Sequence, residues 1–437
     1  MDEHQYIGGR VGEAVREDLK IVPRTSWLPD STFRLLREGY VFISRGCDRA
    51  GTDVFRTRLM LRSVICMRGE AAARLFYGDE DLTRVGAMPQ TVLRLLQDKG
   101  SVQQLDGALH RARKAMFIRL LMQDEAGIAR LTANFRECWL AHLADWVERP
   151  SIRFSSAVAQ VLADAAFRWC GVPDDPDLRQ GSTLSEMVEQ AGHFGPRTWR
   201  ALYRRSVLES RLEALFHAIR AGSSNVREGS PCDVISRYTD EAGRPLTGRV
   251  AAVELINVLR PIVAVSKYIV SASLRLHQNE TWCRLFEAGQ DDLLNDFVEE
   301  VRRISPFFPF VGAVAKRRFS WEGYRIDKGQ WLLLDLYGTC HDPRLFFKPD
   351  VFRPQRQLTW QSQPFRHIPQ GAGDTARTHR CPGERITVEL VKEAVCLLCR
   401  EMEFDIPPQD LTISLADVPA GPRSGLIFSG VVRKNPQ

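Results

Sequence analysis

A glycine-rich loop that delivers one cysteine to the start of a helix is the feature that most constrains the fold of this chain. Residues 370–374 read QGAGD, residues 379–385 read HRCPGER, and an apolar helical pattern follows from about residue 384 to 402. A helix N-terminus carries unpaired N–H groups and a positive partial charge, which favour a thiolate at Cys381. Pro382 suits an early helical position, where a missing N–H costs nothing. The segment therefore predicts an anionic sulfur held in a fixed place.

A lone cysteine in this setting is one of the standard ligands of haem iron, and an anionic axial sulfur favours cleavage of an O–O bond. The competing interpretation is a small buried hydrophobe, the usual environment of a free cysteine. We assign that interpretation to the other nine cysteines, including the CxxC pair Cys396 and Cys399. The ten cysteines lack the spacing of a disulfide framework, which predicts a reducing compartment.

Length and composition predict one large helical unit. The chain has 437 residues, of which 44% are hydrophobic and 26% charged, and no Pro-, Gly- or Ser-rich linker divides it. Strand patterns occur at 39–44, 54–60, 63–67, 319–326 and 331–336, and we expect a hairpin beyond residue 411. Helical patterns occupy 107–121, 124–147, 154–170, 200–221, 248–276, 280–288 and 291–304. We predict a mainly α fold with a small β region, forming a single domain over residues 1–437, with β-containing parts near 36–70 and 319–336.

Charge and hydropathy exclude several classes of protein. The net charge of +6 is spread along the chain, and no zinc spacing or alternation of aromatic and basic residues indicates nucleic-acid binding. No stretch approaches the roughly 20 apolar residues of a membrane span, so we expect no integral membrane segment. The charged N-terminus lacks the apolar region of a signal peptide. We therefore expect a cytoplasmic protein.

Arg260 and Pro261 interrupt the apolar helix predicted over 248–276. Pro261 cannot donate a hydrogen bond to the carbonyl of Asn257, so we expect a kink there at a cost of about 3 kcal/mol. Apolar neighbours should partly bury the Arg260 guanidinium, and a buried charge requires an anion. Glu254, the nearby acid of this helix, does not stand at i, i+3 or i, i+4 spacing. The partner is therefore an acid from elsewhere in the fold or an anionic ligand, and a carboxylate matches the guanidinium fork bidentately.

Glu300 and Arg303 stand three residues apart in a predicted helix, followed by Pro306. Alone, such a pair is worth a few tenths of a kcal/mol, or about 0.2–0.5, on a helix surface. Together with Arg356 and the cysteine loop, in this order and spacing, it resembles the haem-thiolate superfamily, cytochrome P450. The resemblance implies the P450 fold, a triangular prism-like helical domain with small sheets. It also implies that Glu300, Arg303 and Arg356 form a buried structural triad.

Two departures from the common superfamily pattern are similar to the bacterial fatty-acid peroxygenase branch, which includes fatty-acid α- and β-hydroxylases and an alkene-forming decarboxylase. The cysteine loop advances eight positions from Gly373 to Cys381, which is longer than usual. The distal helix also lacks the acid–alcohol pair that relays protons to bound dioxygen, and Arg260 and Pro261 stand there instead. The resemblance covers nearly the whole chain.

This resemblance implies a set of functional residues around haem b (iron protoporphyrin IX). Cys381 is the axial ligand of the iron, and Arg260 holds the carboxylate of a fatty acid; Arg260, Pro261 and Gln103 form the expected catalytic set. That carboxylate acts as the acid–base group for activation of hydrogen peroxide, so no dedicated redox partner is required. Gln103 stands where the branch carries glutamine in hydroxylases and histidine in decarboxylases. The groups expected to meet the haem propionates are His110, Lys114, His379 and Arg84.

The sequence leaves several alternatives open. The chain could be an alkene-forming fatty-acid decarboxylase, or a conventional monooxygenase that depends on redox partners. A non-enzyme alternative is a haem-containing protein that binds or senses fatty acids. Arg260 could also be structural and pair with an internal acid. The favoured hypothesis is a fatty-acid peroxygenase that hydroxylates the α or β carbon, because a neutral amide at Gln103 offers no readily transferred proton.

Overall fold

The computed structural model describes residues 19–25, 29–78, 81–358 and 361–434. Within these ranges the helices are α1 (Thr32–Glu38), α2 (Phe42–Ala50), α3 (Glu70–Gly78), α4 (Gln90–Leu96), α5 (Gly107–Ile118), α6 (Glu125–Val147), α7 (Phe154–Cys170), α8 (Gly181–Glu189), α9 (Pro196–Arg220), α10 (Pro231–Arg237), α11 (Gly248–Ala264), α12 (Ser266–Gln278), α13 (Glu280–Glu287), α14 (Leu294–Ile304), α15 (Leu336–Cys340) and α16 (Glu384–Arg400). The strands are β1 (Val54–Leu59), β2 (Arg62–Met67), β3 (Leu82–Thr83), β4 (Ser151–Arg153), β5 (Phe310–Ala315), β6 (Phe319–Trp321), β7 (Tyr324–Ile326), β8 (Trp331–Asp335), β9 (Met402–Asp405) and β10 (Ile427–Arg433). The prediction of a mainly α fold with a small β region is confirmed.

The strands form three sheets. The largest has the order β1-β2-β8-β5-β3, in which β2 and β8 run parallel and the other neighbours run antiparallel. A second sheet has the order β4-β10-β9, and β6 pairs with β7. The predicted C-terminal hairpin is wrong, because β10 pairs with β9 and β4, which precede the long connection. The strand patterns of the sequence also did not predict β5.

The strand predicted at 39–44 is wrong as well. These residues form a 3₁₀ turn, Gly39–Val41, and the start of α2. Phe42, Ile43, Gly46 and Cys47 are buried, and this i, i+1, i+4, i+5 spacing places them on one helical face. That face packs on the sheet beside Phe55. Short apolar runs are compatible with both helix and strand, and contact with the sheet decides between them.

The helix predicted over 248–276 is divided in two. We expected a kink at Pro261, but α11 continues through it, ends at Ala264 and is followed by α12 from Ser266. The N–H of Val265 donates a hydrogen bond to the carbonyl of Ile262 at 3.1 Å, three residues back, instead of to the carbonyl of Pro261, four residues back. The break therefore lies one turn after the proline rather than at it.

Most of the apolar interior lies among α6, α7, α11, α12, α14 and α16. Two smaller clusters cover the faces of the five-stranded sheet. Within the described ranges, no helix combines the length and hydropathy that crossing a membrane requires. That residues 1–437 form one domain stays a prediction, and the N-terminal residues used to judge a signal peptide lie outside the described ranges.

A buried carboxylate joins α14 to the segment before the cysteine loop. Glu300 Oε2 accepts a hydrogen bond from Arg303 Nε at 2.8 Å, and Glu300 Oε1 accepts from Arg356 Nε at 3.2 Å. The backbone N–H of Arg353 also donates to Glu300, at 2.9 Å. Arg303 and Glu300 are both fully buried. These contacts place the three residues of the expected triad together.

Replacing Glu300 with Gln should strongly destabilise the fold, because it leaves the Arg303 guanidinium buried without its counter-charge. Breaking a buried pair in this way typically costs about 3–5 kcal/mol. Urea unfolding followed by circular dichroism would measure the change. The matched control is Glu125→Gln, which breaks an exposed pair with Arg385 and should cost less than about 1 kcal/mol. Equal losses in the two variants would contradict the proposed structural role of Glu300.

Candidate active site

The cysteine loop has the backbone conformation that its glycines predict. Gly371 and Gly373 adopt φ angles of +105° and +77°, a backbone conformation that residues other than glycine rarely adopt. The backbone N–H of Gly383 donates to Cys381 Sγ at 3.3 Å, and the N–H of Cys381 donates to the carbonyl of Gln370 at 3.1 Å. Pro382 lies in the turn just before α16 rather than within its first turn. The sulfur is thus fixed at the N-terminus of α16.

Burial raises the pKa of the Cys381 thiol, with Glu384 acting in the same direction, while the Gly383 N–H and Lys114 oppose the shift. The helix N-terminus alone therefore does not produce a thiolate. A bound metal cation would, because a coordinating thiol loses its proton. Half-exposed and anchored by the backbone, Cys381 meets the chemical requirement for a single axial sulfur ligand.

Gln370 lies behind the sulfur and was missed as a functional residue. Its side-chain Nε2 is 3.8 Å from Cys381 Sγ and 3.2 Å from Thr387 Oγ1. Its Oε1 accepts a hydrogen bond from Arg302 Nε at 3.0 Å, which orients the amide so that its N–H groups face the sulfur. The arginine therefore positions a donor to the candidate ligand.

Arg302 is the centre of a buried ionic network. Its guanidinium donates to Glu299 at 2.6 Å and to Glu384 at 2.5 Å, and Glu384 also pairs with Arg380. His367 Nε2 lies 2.8 Å from Glu299. Burial raises the pKa of Glu299, but Arg302 and His367 outweigh this effect and bring it to about 2. The network joins α14 to the first turn of α16 and so holds the cysteine loop in place.

The four residues expected to meet haem propionates form one basic cluster: Arg84, His110, Lys114 and His379. The two imidazole rings are stacked, with centroids 4.0 Å apart. Lys114 Nζ donates to the carbonyl of Arg380 at 2.5 Å and to that of Thr378. Arg84 donates to the carbonyls of Gly312 and Phe76, at 2.7 and 3.0 Å. The cluster is thereby attached to the residues just before Cys381.

Burial lowers the pKa of every member of this cluster, and repulsion by neighbouring basic groups of the cluster adds to the shift at His110 and His379. The pKa of His110 falls to about 4 and that of Lys114 to about 7. Among the described residues, none of the four forms an ion pair with a carboxylate. Basic groups gathered without a counter-ion are suited to anionic ligands. Together with the sulfur at Cys381, the donor set fits a haem and its two propionates.

Arg260 lies on α11 and is 5% exposed. Its Nη1 donates to the carbonyl of Leu95 at 3.1 Å, and its Nη2 donates to Asn257 Oδ1 at 3.4 Å. Across the described part of the chain, no carboxylate lies within ion-pair distance of it. Burial, and then repulsion by Arg205, lowers its pKa to about 9, so it remains charged at neutral pH. The expectation that Glu254 does not pair with it agrees with these contacts.

Asn257 connects Arg260 to two further polar groups. Its Nδ2 donates to Gln103 Oε1 at 3.3 Å and to Glu254 Oε2 at 3.2 Å. Glu254, fully buried, also accepts from Arg113 at 2.8 Å and from the N–H of Val102 at 2.9 Å. Gln103 is thereby placed within two side chains of the Arg260 guanidinium. Asn257 was missed, although its position one helical turn before Arg260 was a usable signal.

Pro261 follows Arg260, and no hydrogen bond joins it to the site residues described above. Its effect is on the helix: it removes the bond to the Asn257 carbonyl, and α11 ends three residues later. A role in shaping the helix beside Arg260 is compatible with this position. A direct part in the chemistry stays a prediction.

Comparison with known proteins adds independent information. A family model described as Cytochrome P450 matches residues 291–417. Among solved structures, cytochrome P450SP alpha (CYP152B1) in complex with (R)-ibuprophen is 37% identical, with a TM-score of 0.89 over 93% of this chain and 99% of that chain. Cytochrome P450EX alpha (CYP152N1) with myristic acid is 34% identical, with a TM-score of 0.89 over 95% of this chain and 100% of that one. A variant of cytochrome P450 OleT in complex with arachidonic acid is 28% identical, with a TM-score of 0.90, over 96% and 100%.

The chain spans between 20% and 54% of the length of the curated relatives that it matches. Cytochrome P450 4e2 of Drosophila melanogaster is 28% identical over 128 residues, which are 29% of this chain and 23% of the relative. Ent-isokaurene C2/C3-hydroxylase of Oryza sativa subsp. japonica is 24% identical over 283 residues, 57% and 54%. The solved structures therefore give the more complete comparison.

Replacing Gln370 with Leu should make the ferric/ferrous reduction potential of the haem-loaded protein more negative. The change removes an N–H that faces the sulfur, and hydrogen bonding around the axial ligand is one of the factors that set haem potentials. A spectroelectrochemical titration would measure the shift. Thr387→Val is the matched control, because it removes another partner of Gln370 and leaves the donor to Cys381 in place. An unchanged potential in Gln370→Leu would show that the amide does not tune the sulfur.

Proposed function

The chain belongs to the cytochrome P450 family, in its bacterial fatty-acid peroxygenase branch, and from this premise we propose that it uses hydrogen peroxide to hydroxylate long-chain fatty acids at the α or β carbon. The observation that carries the proposal is the buried Arg260 guanidinium, which has two neutral acceptors and, among the described residues, no carboxylate partner. A fatty-acid carboxylate supplies the missing anion. The structures of relatives with myristic and arachidonic acid support this class of ligand.

The cofactor of this proposal is haem b, to which Cys381 would supply the sulfur ligand of the iron. The basic cluster of Arg84, His110, Lys114 and His379 would hold its propionates. When bound, the haem supplies the cleavage of the peroxide O–O bond and the oxidation of a substrate C–H bond. The chain itself contributes the sulfur, the hydrogen bonds that hold it, and the cations that offset the propionate charges.

Arg260 binds and orients the substrate. Its position in a buried helix places the ion pair in a region of low dielectric constant, where attraction between opposite charges is stronger than in water. The Leu95 carbonyl and Asn257 Oδ1 fix the guanidinium plane. A bidentate carboxylate is then held in one orientation. Because the head group is fixed, the carbons next to it are the ones held for oxidation.

The bound carboxylate acts as the acid–base group for peroxide. It accepts a proton from one peroxide oxygen and returns a proton to the other, so that the departing oxygen leaves as water. This substrate-derived group replaces the acid–alcohol pair that the α11 sequence lacks. The proposal therefore requires no dedicated redox partner, in contrast to a conventional monooxygenase. A cytoplasmic location stays a prediction.

Replacing Arg260 with Gln should abolish peroxide-driven oxidation of myristic acid and weaken fatty-acid binding. Losing one partner of a buried charge pair costs about 2–5 kcal/mol, or a factor of about 30 to several thousand in affinity. Purified ferric protein, myristic acid and hydrogen peroxide are mixed without any reductase, and the products are measured by mass spectrometry. No product from the wild type under these conditions would contradict the peroxygenase function.

Two further measurements separate a substrate anchor from a structural arginine. Arg249→Gln makes the same substitution on the same helix at an exposed arginine. Its buried partner Glu209 keeps a second arginine, Arg205, and Arg249 takes no part in the contacts of Arg260, so turnover should stay within about twofold. The thermal stability of substrate-free Arg260→Gln should stay equal to or exceed that of the wild type, because an uncompensated buried charge is removed. Lower stability with intact turnover would assign Arg260 to the fold. Fatty-acid binding by the wild type without turnover would favour the sensing alternative.

Replacing Gln103 with His should increase the fraction of terminal alkene among the products. The amide accepts a hydrogen bond from Asn257 and has no readily transferred proton, whereas an imidazole can carry one near neutral pH. Product ratios from myristic acid in the wild type and the variant would measure the shift. Gln103→Asn is the control, because it keeps an amide and should keep hydroxy acid as the main product. A high alkene fraction in the wild type would instead favour the decarboxylase alternative.

A further inference from the structure

The turn between β1 and β2 presents two large apolar side chains to solvent. Leu59 pairs with Arg62 across the hairpin, so Met60 and Leu61 form a two-residue turn. Leu61 is 78% exposed and Met60 is 41% exposed. On the adjacent helix α1, Phe33 is 89% exposed, and Leu36 is also exposed one turn later. These four residues, here called the apolar tip, are not members of the buried clusters of the described structure.

The backbone of this turn is unfavourable for the residues that occupy it. Met60 and Leu61 adopt φ angles of +51° and +62°. Two-residue hairpins with positive φ at both positions normally carry Asn-Gly or a similar pair, because a Cβ atom is strained there. The chain thus places bulky apolar residues where the turn itself favours small polar ones. Strain kept at a solvent-exposed site is a reason to look for a binding role.

Side chains from the start of α1 hold the turn in this conformation. Thr32 Oγ1 accepts a hydrogen bond from the N–H of Met60 at 2.7 Å. Asp30 Oδ2 accepts one from the N–H of Leu61 at 2.6 Å. Phe33 directly follows Thr32, so these bonds fix Phe33 and the turn as neighbours. The apolar tip is therefore one preformed surface rather than two separate exposures.

The charges around the apolar tip are mainly positive. Arg58 and Arg62 flank the turn and Arg37 lies on α1; all three are exposed. None of them forms an ion pair within the portion of the chain that is described. One carboxylate, Asp30, lies among them, and its oxygens accept backbone N–H groups. Arg62 also donates to the Gly86 carbonyl and lies over the Trp331 ring. An exposed apolar tip beside exposed arginines that have no carboxylate partner among the described residues is complementary to an anionic lipid surface, with its charged head groups above an apolar layer.

We propose that the β1–β2 turn and α1 dock the protein onto the surface of an anionic lipid bilayer. Met60, Leu61 and Phe33 enter the boundary between head groups and acyl chains, and Arg37, Arg58 and Arg62 contact the lipid phosphates. This contact is peripheral and needs no membrane-spanning helix. It stands independently of the proposed function, although it would bring a fatty-acid-oxidising protein to the phase into which long-chain acids partition.

The test is sedimentation of the haem-loaded full-length protein with phosphatidylglycerol vesicles. The double variant Met60→Asn, Leu61→Gly is the decisive one, because its residues suit the turn better and the fold should be at least as stable. We expect its partition onto vesicles to fall about tenfold or more, since two apolar side chains are removed from the contact. Its thermal unfolding temperature should equal or exceed that of the wild type.

Two controls sharpen the result. Phe347→Ser removes another exposed apolar side chain. Phe347 is close in sequence to Arg344, which pairs with Asp53 at the opposite end of the hairpin. Vesicle binding by this variant should equal that of the wild type. Arg58→Glu with Arg62→Glu should weaken binding to phosphatidylglycerol vesicles and have little effect with phosphatidylcholine. Absence of wild-type binding, or equal binding by the Asn-Gly variant, would overturn the proposal. So would a wild-type dimer that the Asn-Gly variant dissolves, because a second copy would then cover the tip.

Discussion

The structure depends on the compensation of charge inside an apolar interior, and Arg302 shows this most clearly. Its fully buried guanidinium is shared by Glu299 on its own helix, Glu384 on α16 and Gln370 in the cysteine loop. A buried guanidinium is tolerated only when its donors are satisfied, so these three acceptors must stay where they are. Because one acceptor belongs to the first turn of α16 and another faces the sulfur, the position of Cys381 follows from the same requirement.

Arg260 presents the opposite case on the other side of the core. It is buried among apolar residues of its helix, but its hydrogen bonds to described residues go to the neutral oxygens of Leu95 and Asn257. The acid closest in sequence, Glu254, is already used by Arg113 and the backbone of Val102. The chain thus contains a carboxylate near the arginine and directs it elsewhere. An arginine in this state is suited to an anionic ligand, which is the basis of the proposed substrate site, and the shape of its fork favours a carboxylate.

The sequence anticipated those parts of the site that lie within short segments. The cysteine at the start of α16, the spacing of Glu300 and Arg303, and the failure of Glu254 to pair with Arg260 are all readable from residues a few positions apart. Whether a more distant acid pairs with Arg260 was left open by the sequence. The sequence did not anticipate contacts between distant segments, because folding alone brings these segments together. They are the contacts of Gln370 with Arg302, of His367 with Glu299, and of Asn257 with Gln103. The errors in secondary structure have the same origin, because the sheet decides that residues 39–44 are helical and β4 decides where β10 pairs.

The basic cluster and Arg260 have one property in common: both are buried basic groups suited to the anionic ligands that we propose for them. The basic cluster of Arg84, His110, Lys114 and His379 holds several repelling groups whose pKa values are lowered by burial, and Arg260 holds one. In both places the protein alone carries an electrostatic cost that an anion removes. Ligands that bind the folded state and relieve such a cost also stabilise it. If the proposed function holds, cofactor and substrate complete the charge balance at these two places, and the affinity of each for anions follows from basic groups that have no carboxylate partner among the described residues.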